Sequence, residues 1–175
     1  MTQQLYLEDI FVGQRFAGGP LTVDPQAVHA FAEQFDPQPF HLDEKAAAGT
    51  LFGSVVASGW HTASLTMRML VDNLPFAGGT VGTRAEIRWP CPVNPGDKLH
   101  IDVEVVDARP SAHRPEFGVV KMLVHTRNQH NQLVMEMTTL VLVRRRAVVA
   151  PTEEKNPSAQ EARSATPVFP TAVIK

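Results

Sequence analysis

The chain has 175 residues, 43% of them hydrophobic and 19% charged, and carries a formal net charge of -2. That length suits one domain with a sizeable core. The balance excludes a disordered chain and, with no basic block longer than Arg144 to Arg146, a chain that tracks nucleic acid.

Cys91 is the single cysteine, so neither an intrachain disulfide nor a cysteine pair for zinc can form, and Cys91 reads as a small buried filler between two prolines. The first residues hold no basic region followed by an apolar stretch, and no apolar run approaches the ~20 residues that cross a bilayer. A cytoplasmic protein that binds neither nucleic acid nor membrane is the expectation.

A short strand is expected near Arg15 and Phe16. Asp24 before Pro25 is a strong helix start, and Val28, Phe31, Ala32 and Phe35 then recur at helical spacing. That helix should stop at Asp36, because Pro37 and Pro39 cannot continue it; Asp36 to His41 is then a stiff, non-helical loop. Asp43 caps a second helix through Glu44 to Ala48, and Gly49 stops it.

A longer helix is expected from about Gly59 to Leu74. Trp60, Ala63, Met67, Leu70, Val71 and Leu74 form one apolar stripe with Leu65 and Met69 beside it, which predicts a largely buried helix. The small residues Ala57, Ser58 and Gly59 let its N-terminus approach a ligand or another backbone, and Ser58 can cap it.

Beyond residue 80 the period becomes two. Val81, Thr83, Ala85, Ile87 and Trp89 alternate with polar or small residues as in a half-buried strand. Asn94 to Asp97 is a type II turn candidate, followed by alternation from Leu99 to Val105. Segments 117–127 and 133–144 flank a polar turn as a hairpin. From residue 147 the pattern dissolves into Ala, Pro, Ser and Thr, so 1–146 is read as one domain and 147–175 as a flexible Ala/Pro-rich C-terminal tail. Helices first and antiparallel strands afterwards indicate an α+β domain, a long central helix wrapped by a curved sheet.

Chemistry concentrates in Phe35-Asp36-Pro37-Gln38-Pro39-Phe40-His41-Leu42-Asp43. A carboxylate and an imidazole stand five residues apart; fully extended, that step spans ~17 Å, so the loop must bend if both are to serve one substrate. His41 would lie just before the second helix, whose positive end favours a neutral ring. Taken alone, Asp36 also fits a helix or turn cap and His41 a surface histidine.

Asp36, Pro37, Gln38, Pro39, Phe40 and His41 resemble the hydratase motif of the MaoC-like dehydratases, the (R)-specific enoyl-CoA hydratase type. The resemblance continues through Phe52-Gly53, through Val56-Ala57-Ser58-Gly59-Trp60-His61-Thr62 and through Pro92 to Asp97, covering about residues 8–146. It implies a hotdog fold and a lyase of fatty acid metabolism that adds water to 2-enoyl-CoA thioesters or removes it from 3-hydroxyacyl-CoA. In that reading Asp36 takes a proton from the attacking water, His41 delivers one to the α-carbon, and the backbone N–H of Gly59 meets the thioester oxygen. Gln38, Phe40, Ser58 and His61 are candidate pocket residues, with His61 weighed against a structural role.

The resemblance further implies no metal or redox cofactor, coenzyme A entering as part of the substrate, and a homodimer or higher homo-oligomer. Phe35 stands where the family often has Gly, and Gln38 where it often has Asn. No polar side chain on the long helix offers evident support to Asp36, since Met67 lies near that place with Thr66 beside it. A hotdog acyl-CoA thioesterase and a non-catalytic acyl-binding subunit are the alternatives. Asp72, the acidic residue of the long helix, lies far from its N-terminus, which favours the hydratase.

Overall fold

A computed structural model describes residues 3–146; the segment 147–175 assigned above to a tail lies outside the described residues. A 3-10 turn at Leu7–Asp9 precedes strand β1 (Arg15–Thr22), and helices α1 (Pro25–Phe35), α2 (Pro39–Leu42), α3 (Glu44–Ala48) and α4 (Gly59–Asn73) follow. Strands β2 (Val81–Arg88), β3 (Lys98–Pro110), β4 (Phe117–Arg127) and β5 (Leu133–Arg144) complete one antiparallel sheet in the order β1-β3-β4-β5-β2. With α4 packed against β1 and β3, this is the expected α+β hotdog arrangement.

The local signals that start and stop the helices are present as bonds. Asp24 accepts from Gln26 N at 3.0 Å with Pro25 in the first helical position, and Asp43 accepts from Ala46 N at 2.7 Å. The loop expected from Asp36 to His41 is instead interrupted by α2. Pro37 ends α1 with Asp36 outside the helical region at φ -151 and ψ 67, but Pro39 opens a turn of helix, because its missing N–H is unneeded at a first position. Glycine is required at Gly96, whose φ of 89 builds the turn closed by Asp97 N donating to Asn94 O at 3.1 Å.

Alternation places Leu99, Ile101, Val103 and Val105 of β3 and Val120, Met122 and Val124 of β4 on the inner face, all buried. Each such side chain contributes about 1.5–3 kcal/mol relative to exposure. Two burial expectations fail. In α4 the buried residues are His61, Thr62, Thr66, Met69 and Leu70, whereas Trp60, Met67 and Val71 of the predicted stripe are 60%, 52% and 69% exposed. Thr66 is tolerated inside because its hydroxyl meets that of Thr126 at 2.8 Å. Strand β2, predicted half-buried, is an edge strand paired only with β5, and just Ile87 among its residues is partly covered. The helix packs most extensively against β1, at the sheet edge opposite β2, which leaves β2 largely uncovered. Among the described residues no helix is long and apolar enough to cross a membrane.

Candidate active site

Asp36 ends α1, donating its N–H to Ala32 O at 3.0 Å, and the chain then turns back on itself: Gln38 N donates to Asp36 O at 2.7 Å and His41 N to Gln38 O at 2.9 Å. The turn brings His41 Nε2 to 3.4 Å from Asp36 Oδ2, closing a step that would otherwise span ~17 Å. His41 is buried, and the Asp36 side chain is 23% exposed.

His41 Nδ1 lies 2.7 Å from the carbonyl oxygen of Val56. A carbonyl only accepts, so Nδ1 carries a proton and Nε2 is the nitrogen turned to Asp36. His41 lies just before α3, as expected, but within the added turn of α2, and its tautomer is set by the Val56 carbonyl. Ser58 Oγ donates to Asp36 Oδ2 at 2.6 Å while accepting from Trp60 N at 3.2 Å. The support for Asp36 sought in the body of the long helix thus comes from its N-cap; Met67 is exposed and Thr66 is engaged with Thr126.

His41 lines a cleft of about 390 Å³ together with Phe40, Leu51 and Phe52, with Val56, Ala57, Gly59 and Thr62, and with Trp89 to Val93. The walls are mostly apolar. Phe40 meets His41 edge-on at 4.5 Å and Phe52 at 5.1 Å, which stiffens that side. Gly59 opens α4, and its N–H has no partner among the described residues, as expected of a first helical position. A Cβ at Gly59 would stand 3.0 Å from Trp89 Cε2, so the glycine lets the indole lie against the helix end.

Of the residues singled out from the sequence, Asp36 and His41 come together; His41, Phe40 and Gly59 line the cleft, whereas Asp36 reaches it only through His41. Three pocket expectations are corrected. Gln38 is exposed and outside the cleft, because as N-cap of α2 it points away while its backbone does the turning. Ser58 is buried against Asp36 instead of lining the cleft. His61 stacks on Phe31 at 4.8 Å with the rings 10° from parallel, and its buried Nδ1 has no partner among the described residues; burial holds its pKa below the ordinary value. Cys91, read as buried filler, is half-buried in the cleft wall.

Trp89, Val56 and Thr62 were missed as site residues. Period-two alternation had marked Trp89 as inward-facing, but nothing local linked it to Gly59. Asp72 pairs with Arg68 at 2.7 Å on the exposed face of α4, away from the cleft. Among the described residues no cluster of three His, Cys, Asp or Glu side chains is placed to hold a metal ion.

The family model described as MaoC like domain matches residues 11–128. The MaoC-like dehydratase from Rhodospirillum rubrum is similar in structure, with 48% identity, a TM-score of 0.78 and coverage of 81% of this chain and 98% of that one. An uncharacterized protein of Bacillus subtilis is 32% identical over 142 residues, 79% of this chain and 99% of the relative. The 3-hydroxybutyryl-CoA dehydratase of Methylorubrum extorquens is 35% identical over 117 residues, 63% of this chain and 69% of the relative.

Proposed function

This chain belongs to the MaoC-like domain family, and from that premise we propose that it adds water across the double bond of 2-enoyl-CoA thioesters and removes it from 3-hydroxyacyl-CoA. The observation that carries the reading is the Asp36–His41 pair, 3.4 Å apart, whose His41 lines a mostly apolar cleft together with Gly59, the first residue of α4. The relative that dehydrates 3-hydroxybutyryl-CoA supports the substrate class.

In the hydration direction Asp36 takes a proton from water as the water oxygen bonds to the β-carbon. Electron density moves to the thioester oxygen, where the Gly59 N–H at the positive end of α4 meets it. His41, protonated on both nitrogens, gives its Nε2 proton to the α-carbon. The proton on Asp36 then crosses the 3.4 Å gap and restores the starting pair. Val56 keeps its bond to His41 Nδ1–H throughout. Phe40, Phe52 and Trp89 present apolar surface to the acyl group. The reaction moves protons and no redox electrons, so these residues suffice and coenzyme A enters only with the substrate. The bare β2 edge and the exposed Trp60, Met67 and Val71 support a homodimer.

The test is to mix the protein with crotonyl-CoA and follow loss of the conjugated thioester absorbance with free thiol measured in parallel. Loss of conjugation without thiol release is expected, and Asp36→Asn or His41→Ala should lower turnover by at least about a hundredfold while remaining folded. Thiol release in place of hydration would identify a thioesterase, and near-normal turnover in either variant would remove the pair from the mechanism.

A further inference from the structure

Ser58 makes one bond more than a helix cap requires. Its Oγ accepts from Trp60 N at 3.2 Å and stands 2.6 Å from Asp36 Oδ2, while its carbonyl accepts from Thr62 N at 3.0 Å and Thr62 Oγ1 at 3.3 Å. A hydroxyl has a single proton, and an amide only donates, so the Oγ proton is committed to Asp36. On the other side of the pair, His41 Nδ1–H is committed to the carbonyl of Val56. Asp36 Oδ2 and His41 Nε2 therefore face each other at 3.4 Å, and a proton taken up between them is shared by the two.

Where that proton sits depends on which partner holds it more tightly. A hydrogen bond donated to a carboxylate favours the ionised form. The hydroxyl also stands at the positive end of the 15-residue α4, which favours negative charge on Asp36. Both effects move the proton to His41. The other titratable groups on the surrounding elements are Glu33 of α1, paired with His29 at 3.6 Å, His61 of α4, stacked on Phe31, Arg68 and Asp72 of α4, paired with each other at 2.7 Å, Asp43, Glu44 and Lys45 at α3, and Cys91 in the cleft wall. Among the described residues, only His41 comes within ion-pair distance of Asp36.

We infer that Ser58 is a positioning residue whose hydroxyl keeps Asp36 ionised and the shared proton on His41, so that the pair enters the reaction as carboxylate and imidazolium. The inference rests on the hydratase reading for its kinetic consequence and on geometry alone for its resting protonation state. It assigns to the end of the long helix the support for Asp36 that its middle does not supply.

Three variants separate this role from capping. Ser58→Gly keeps most of the cap but no donor, Ser58→Ala loses both, and Ser58→Thr keeps both. The acid limb of kcat/KM for crotonyl-CoA, read as a property of the coupled pair, should move upward by about one pH unit in the Gly and Ala variants. At the low-pH end that shift is a tenfold loss, with KM little changed and Thr restoring the wild-type profile. In substrate-free protein, the ¹⁵N shifts of His41 should move from imidazolium toward neutral values in the Gly and Ala variants only. Unmoved shifts and an unmoved acid limb would overturn the inference. Loss in Ser58→Ala matched by a fall in Tm, with Ser58→Gly normal, would reduce Ser58 to a cap and overturn it too. If wild-type protein leaves crotonyl-CoA untouched while the ¹⁵N shifts move as stated, the substrate reading fails and the role of Ser58 stands.

Discussion

Replacing Gly59 by Ala isolates the close approach on which the cleft depends. The new Cβ would lie 3.0, 3.2 and 3.3 Å from Cε2, Cδ2 and Nε1 of the Trp89 indole. Comfortable separation is about 3.5–4.0 Å, so the ring must retreat by roughly half an ångström. It has room to do so, since Trp89 is 40% exposed. Relieving the contact costs on the order of 1 kcal/mol, and alanine gains up to about 1 kcal/mol over glycine as a helix former. Stability should therefore stay within ~1 kcal/mol of wild type, measured by urea denaturation.

Activity should not be spared. The methyl enters the cleft beside the amide assigned to the thioester oxygen, and the opposite wall moves with it. Misplacement by 1 Å costs up to about a hundredfold, so half that displacement is expected to lower kcat/KM for crotonyl-CoA by about tenfold. A kcat/KM within twofold of wild type would refute the placement of Gly59 and Trp89 in the site. A destabilisation above about 3 kcal/mol would refute the argument that the indole yields.

Thr66→Val and Thr126→Val should each cost about 1–3 kcal/mol, because either change strands a fully buried hydroxyl; the double variant should cost less than the sum, and strict additivity in urea denaturation would deny the bond. His61 is kept neutral by burial, its folded pKa lying below its unfolded value, so stability is complete above the unfolded pKa of about 6.5 and declines as pH falls through the window below it. His61→Leu should flatten that decline between pH 6.5 and 5, and an unchanged slope of stability against pH would locate the titration elsewhere.

Much of this architecture was legible because it rests on short-range signals. Asp24-Pro25, Asp43 and Gly49 mark helix ends within a few residues, and Gly96 marks its turn. The strands of the meander announced themselves by alternation, although β3 runs on to Pro110 beyond the expected Val105. What periodicity does not carry is which neighbour covers a face. The apolar stripe of Trp60, Met67 and Val71 is real, but it faces outward, and Thr62 and Thr66 turn in because their hydroxyls find partners. The same holds at the site. Asp36 and His41 lie within one segment and could be paired from their prolines and the motif they resemble. Ser58 is 22 residues from Asp36, Val56 is 15 from His41, and Trp89 lies farther still from both; folding alone reveals these partners.

The strand order fixes a sequence of assembly. β3, β4 and β5 follow one another through short turns, whereas β1 reaches β3 across 89 residues at Arg15 and Glu104, and β2 reaches β5 across 48 at Arg88 and Glu136. Closing such long loops is slow compared with zipping a hairpin. On a ribosome, the segment holding Asp36, His41 and Ser58 emerges before Trp89 to Val93, which complete the cleft, and before the strands of the meander. The residues proposed to carry the chemistry are then synthesised well before the sheet against which α4 packs is complete, and that interval is when a chaperone has most to protect.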